Sequence, residues 1–278
     1  MVDWFEEIDL GVSGPPVAMS VRNLNRRPWL IQDENEQMEL LLKKRLRKDS
    51  SKEVFLSQGD TRKTSENVVD LIRSEGRTII DSERHPLDRA GLSIQEDLCL
   101  LHRNETTWVL KAASLCFPSR WILREKIGKG IGAVHGPVEG YPEYLETKVS
   151  SFMDRLGTDP VWRRNWFIHP DNNLHQPRRP VDGDPTIPSV EIGEKLFVRS
   201  ERQTLRKLEN GDWILFTIRV QQTQLKNFIQ SRFEEFRLWV REAPETHHDH
   251  KGLSKEQAHE IRKGLESDKY SKLACPDI

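Results

Sequence analysis

The sequence predicts an α+β fold, and three features carry that prediction. Between Leu225 and Glu242 a helical period places Leu225, Phe228, Ile229, Phe233, Phe236, Trp239 and Val240 on one face. Two runs, LFVRSERQTLRKL and DWILFTIRVQ, flank Asn210-Gly211, the strongest short hairpin signal a sequence offers. Helical and strand periods are mixed along the whole chain, with no internal repeat and no low-complexity block.

Taken in order, the first helix is expected from Glu34 to about Lys48. Asp33 and Glu36 have capping-box spacing, and Met38, Leu41, Leu42 and Leu46 form its apolar stripe, with a Lys/Arg-rich face toward water. A second helix, about Ser65 to Ser74, buries Val68, Val69 and Ile72 and stops at Gly76. RHPLDRAG reads as irregular and LSIQEDLCLLHR as partly helical. TTWVLKAASLCF reads as a strand ended by Pro118. Tyr141 to Leu156 is the next helix, with Pro142 in its first turn and Leu145, Val149, Phe152 and Leu156 on one face. VWRRNWFI is a strand, and DNNLHQPRRPVDGDPTIPS is a loop long enough to be a cover or a binding loop. The hairpin and the long helix follow, and Pro244 ends that helix. Residues 1–245 therefore read as the main domain with N-terminal helical additions. Residues 246–278 read as a linker and a polar helix, with Ser254 and Gln257 at capping-box spacing, that packs loosely or meets a partner.

Composition narrows the function. Lys and Arg number 43 against 44 Asp and Glu, so no basic surface advertises nucleic acid. No apolar run approaches the roughly 18 residues of a membrane helix, and MVDWFEEIDLG lacks the basic and apolar regions of a secretory signal. A soluble, cytoplasmic protein is expected. Cys99, Cys116 and Cys275 are odd in number and far apart, which argues for buried or incidental thiols over a disulfide framework or a cysteine zinc site.

GKGIGA, residues 128–133, matches the text of a dinucleotide fingerprint. It lacks the buried strand before it and the helix after it, so it reads as a flexible turn. No GK[ST], G-x-S-x-G or H-E-x-x-H occurs. His247, His248 and His250 read as a solvated tract, and His102, His169 and His175 as surface residues. His135 differs. It follows Ile131, Ala133 and Val134 and precedes Gly136-Pro137, so its imidazole is either a satisfied core group or a ligand, and local physics does not choose between them.

The runs SIQEDLCLLHR, LCFPSRWILREKIGKGIGAVHGPVEGY, RRNW and RSERQTLRKLENGDWILFTIR, in that order, resemble the haem-dependent oxidative N-demethylases over about Trp29 to Val240. The resemblance implies a PAS-like antiparallel sheet flanked by helices and holding haem b. It also implies use of dioxygen, and electrons from NADPH through a separate flavin and iron–sulfur reductase. The implied reaction is oxidative demethylation of a small dimethylamine-like secondary amine, releasing formaldehyde. On this resemblance His135 is the axial iron ligand. Arg120, Lys126, Arg202 and Arg206 are the candidates for the haem propionates, each with a surface ion pair as its alternative. Trp121, Trp166 and Phe216 wall the macrocycle or the amine, with core packing as their alternative. Glu201 and Asn165, with Trp166, are placed nearest the chemistry, orienting the imidazole or bound oxygen, or else bracing the hairpin. HGPVEGY carries Glu139 where the family pattern has a second proline, which alters the expected pocket shape. A non-catalytic haem-binding sensor or interaction module is the alternative function, and the oligomeric state is left open.

Overall fold

The computed structural model describes residues 4–12, 20–135, 143–209, 211–267 and 270. Its strands are β1 (Arg22–Asn23), β2 (Phe55–Ser57), β3 (Asp97–Arg103), β4 (Trp108–Ser114), β5 (Val161–His169), β6 (Phe197–Lys207) and β7 (Trp213–Gln224). They form one antiparallel sheet in the order β1-β5-β6-β7-β3-β4-β2. The helices are α1 (Glu36–Asp49), α2 (Ser51–Val54), α3 (Arg62–Ser74), α4 (Pro86–Gly91), α5 (Leu123–Lys126), α6 (Ile131–His135), α7 (Glu143–Asp154), α8 (Ile192–Lys195), α9 (Leu225–Glu242), α10 (Glu245–His250) and α11 (Lys255–Leu265). The fold is thus the expected α+β one, with helices around an antiparallel sheet and at the C-terminus.

The β6/β7 hairpin is the centre of the sheet, paired from Phe197↔Gln224 to Lys207↔Ile214. Gly211 takes φ +77° in its turn, a conformation that favours glycine. β3 lies between β7 and β4, where both its faces are covered. Its Leu98–Leu101 run is therefore continuously apolar, and the helix expected there is a strand. RHPLDRAG, expected irregular, forms α4, started by Pro86 at its first position and by His85, whose Nδ1 accepts from Leu87 N.

α1 is where the structure departs most from its sequence pattern. Met38 and Leu41, expected inside, are 53% and 60% exposed, while Glu39 and Lys43 are buried. Charge sets the rotation. Arg219 on β7 lies 2.6 Å from Asp33 and 2.9 Å from Glu39. Lys43 Nζ lies 3.1 Å from Asp97 and donates to the carbonyls of Glu96 (2.6 Å) and Gly91 (3.2 Å). Once these ions are buried they must be paired, so the helix turns its ionic side in and two large apolar side chains out.

The C-terminal helices are built into a core rather than packed loosely. Leu253, Ile261, Leu265 and Tyr270 join the cluster formed by α9 with Trp166, Ile168 and Val198 of the sheet. A Cβ on Gly264 would lie 2.4 Å from Ile192 Cδ1, so α11 and α8 approach closely there. His247 and His248 are buried, with the His248 ring edge-on to Trp239 at 4.9 Å, and do not form a solvated tract. Cys99 and Cys116 are buried free thiols, and burial pushes Cys116 up to about 12. Cys275 lies outside the described residues.

Candidate functional site

Paired residues on neighbouring strands point to the same side of a sheet. The rows Val161↔Leu205↔Phe216↔Cys99, Arg163↔Gln203↔Ile218↔Asp97 and Asn165↔Glu201↔Val220 therefore share one face. Trp162, Arg164 and Trp166, with Arg202, Thr204, Arg206, Thr217 and Arg219, share the other.

The second face is sealed. Arg202 donates to the carbonyls of Trp29 (2.9 Å) and Pro28 (2.7 Å), and Trp29 Nε1 donates to Thr204 Oγ1 at 3.0 Å. The Arg206 guanidinium lies 5.1 Å from the centre of the Trp29 ring. Trp166 packs on Trp239 at 4.8 Å and donates its indole N–H to Asp9 O. Burial, aided by the neighbouring Arg164, pulls Arg202 down to about 10, as expected of a guanidinium enclosed by carbonyls.

The first face is half open. Val161, Arg163, Asn165, Phe167, Gln203 and Phe216 are only partly buried, although they lie within the sheet rather than on its turns. α5, α6 and α7 lie over one end of this face. There Leu123, Ile131, Met153 and Leu156 are buried, while Trp121, Ile127, Val149 and Phe152 are half-buried against the same cluster as Phe216. Lys126 Nζ donates to Val134 O at 2.6 Å and so fastens α5 to α6. Burial, with Lys129 nearby, holds its ammonium below the usual lysine value. His135 is the last residue of α6. Its side chain and residues 136–142, including Glu139, lie outside the described residues.

The opposite end is closed by the loop of residues 170–191, pinned by Arg199. That buried guanidinium donates to Ser119 Oγ (2.8 Å) and to the carbonyls of Phe117 (3.0 Å), Asn173 (3.0 Å) and Leu174 (2.9 Å). Arg120 has φ +64°, unusual for a residue with a side chain, and is held by its backbone N–H to Gln176 O (2.7 Å) and its guanidinium to Asp184 (2.7 Å). His169 and His175, expected at the surface, are inside this closure. His169 Nδ1 is 2.6 Å from Gln176 Oε1, and His175 Nδ1 is 2.8 Å from Cys116 O.

At the open edge of β5, Lys251 follows α10. Its carbonyl accepts from Ile168 N at 2.8 Å. Its ammonium is 3.1 Å from Asn165 Oδ1, which also accepts from Trp166 N at 3.0 Å. The same ammonium lies 5.1 Å from the centre of the Trp166 ring. Burial, then the charge of Arg163, pulls Lys251 down to about 7. Glu201 Oε2 accepts from Gln203 Nε2 at 2.7 Å. One face thus gathers a carboxylate, two amides, an arginine and a proton-labile amine beside aromatic walls.

Of the residues singled out in the sequence, Asn165, Glu201 and Phe216 share this face, and Trp121 packs on its core. Trp166, Arg202 and Arg206 are on the far side of the sheet. Arg120 and Lys126 serve the closing loop and the α5–α6 junction. Arg163, Gln203, Arg199 and Lys251 were not singled out. The alternation of β5 and β6 would have found the first three; Lys251 reaches the site only through the tertiary fold. Among the described residues no three His, Cys, Asp or Glu side chains converge on a metal position. A separate cavity of about 410 Å³ between Trp4–Glu7 and α9 is rimmed by Glu6, Glu7, Asp9, Arg22, Arg232 and Glu235. It lies away from this face.

An antiparallel sheet with one face sealed by buried arginines and the other half open over aromatic and polar side chains makes this an α+β protein with one partly exposed sheet face. The chain belongs to the haem-dependent oxidative N-demethylase, alpha subunit-like family, whose model matches residues 35–259. That family is named for an oxidative N-demethylase, hence an oxidoreductase. No curated protein matches the chain. No helix among the described residues is long and apolar enough to cross a membrane.

Proposed function

We propose that this chain binds haem b on the half-open sheet face and demethylates a small secondary amine oxidatively. The single observation that carries this reading is that open face, in a chain whose family is named haem-dependent. The residues there suit such a group in kind. Trp121, Phe216, Val149 and Phe152 offer apolar walls, and Arg163 is the arginine of the face's middle row, suited to a propionate. His135, at the end of α6, is the residue that would ligate the iron.

Bound haem supplies the activation of dioxygen and the oxidation of the N-methyl carbon. One dimethylamine, one dioxygen, two electrons and two protons give methylamine, formaldehyde and water. The chain's own part is to hold and orient the amine. The Glu201 carboxylate accepts the N–H of a secondary ammonium, and aromatic faces favour its methylated cation. Asn165, fixed by Lys251, positions a hydrogen-bonding amide beside it. As the family resemblance implies, electrons come from NADPH through a separate flavin and iron–sulfur reductase.

The test is an absorption spectrum of the purified protein with one equivalent of haem, followed by turnover with dimethylamine, NADPH and a surrogate reductase. A Soret band altered by His135→Ala, together with formaldehyde production, is expected. A normal Soret band with no product would make the chain a non-catalytic haem sensor, and no haem binding would end the reading.

A further inference from the structure

The outward face of α1 presents Met38 and Leu41, 53% and 60% exposed, on a protein of formal net charge −1. From Leu40 to its end at Asp49 the helix, LLLKKRLRKD, holds five cations against one acid, the exposed Asp49. Lys43 and Arg47 turn inward to Asp97 and Asp88, leaving Lys44, Arg45 and Lys48 exposed beside the two apolar side chains, with exposed Lys52 following in α2. The helix cannot roll to bury Met38 and Leu41 without drawing Lys43 and Glu39 away from their buried partners. An apolar centre with a basic rim is therefore a fixed feature of the surface, and its charge calls for an acidic counterpart. A second copy of this chain would set like charge against like, and two apolar side chains are too few to anchor a membrane-bound helix.

We propose that this stripe docks the acidic, electron-delivering partner protein, with Met38 and Leu41 entering its interface and Lys44, Arg45 and Lys48 facing its carboxylates. The partner's role rests on the function proposed above; the contact itself does not. Leu42 and Leu46, on the inner side of the same helix, pack on the cluster that includes Trp121 and Phe216. The docking face and the proposed pocket wall thus back onto one apolar cluster. With haem bound, a reduced iron–sulfur centre of the partner would give up one electron per encounter to ferric haem and would itself be oxidised by one electron.

The probe is a plant-type [2Fe–2S] ferredoxin, an acidic protein, kept reduced by NADPH and its own reductase. Haem reduction is followed by stopped flow in the haem-loaded wild type, in Met38→Glu/Leu41→Glu, and in Lys44→Glu/Arg45→Glu/Lys48→Glu. The wild-type rate should fall with rising salt, and each variant should be slower by about tenfold or more at low salt. Dithionite should reduce all three alike, and urea unfolding should be unchanged because the altered side chains are exposed. Variants reduced at the wild-type rate would overturn the proposal. So would a wild type that dithionite reduces and ferredoxin does not, or Leu41-dependent binding to phosphatidylserine vesicles in place of ferredoxin. If the protein takes up no haem, the proposed function fails but the docking surface is still decided by calorimetric titration with ferredoxin. Binding lost in both variants supports it, and no binding sinks it.

Discussion

Lys43 Nζ lies 3.1 Å from the Asp97 carboxylate, and neither side chain reaches solvent. Asp97 also accepts the backbone N–H groups of Cys116 (2.9 Å) and Phe117 (2.7 Å), so the pair ties α1 to the start of β3 and to the segment after β4. Removing one member leaves the other charge buried and uncompensated. Lys43→Met should cost roughly 3–5 kcal/mol in urea unfolding, and Asp97→Leu more, because two backbone donors are orphaned as well. Met38→Lys, on the outer side of the same helix, should change stability by less than about 0.5 kcal/mol. Equal losses at positions 38 and 43 would show that the helix is rotated differently.

Arg199 should behave as a brace for two segments at once. It holds the carbonyls of Phe117, Asn173 and Leu174, and burial lowers its pKa to about 10. Lysine carries a point charge and cannot reproduce the planar fork. Arg199→Lys should therefore lose roughly 2–4 kcal/mol by urea unfolding and speed amide hydrogen exchange at residues 174–176. Unchanged exchange there would mean that the loop is held by other contacts.

Where the deciding forces are local, the sequence is a good guide. The apolar stripes of α3, α7 and α9 and the Asn-Gly turn specify those elements from within. β3 reads as partly helical in the sequence because a strand covered on both faces loses its period of two. The inward face of α1 differs from its apolar stripe because its rotation depends on Arg219 and Asp97, which come from far along the chain. The half-open face was partly legible. Glu201 and Asn165 are each followed by a residue, Arg202 and Trp166, that alternation must place on the opposite side of the sheet. The four therefore do not share one face of the sheet. Lys251 joins the face across an open sheet edge, and no sequence period encodes such an approach.

Stability should fall as pH drops from about 6.5 toward 4. Burial, then Arg199, lowers His169 to about 4, and burial, then Lys251 and Arg163, lowers His250 to about 4. In that window the unfolded imidazoles bind protons and the folded ones do not, so the stability they confer is complete above 6.5 and lost on acidification. Glu39 and Glu96 work the other way, since burial raises both and favours the folded state at lower pH. The histidine contribution is isolated by difference. Calorimetric melting of His169→Gln should show a shallower decline than the wild type between pH 6.5 and 4. Parallel curves would refute the buried neutral imidazole.

Lys251 makes the corresponding claim on the alkaline side. Its ammonium rests on Asn165 Oδ1, and burial with Arg163 nearby lowers its pKa to about 7 from an ordinary 10.5. Between pH 7 and 10.5 the unfolded lysine keeps a proton that the folded one has released, so this group makes stability rise with pH across that window. Lys251→Met should remove that slope while keeping most of the packing against Trp166. Asn165→Leu takes away the acceptor of the charged form and should lower the amine's pKa further, readable from its Cε chemical shift during titration by NMR. An amine that titrates near 10 in the wild type would place Lys251 in solvent and detach it from the open face.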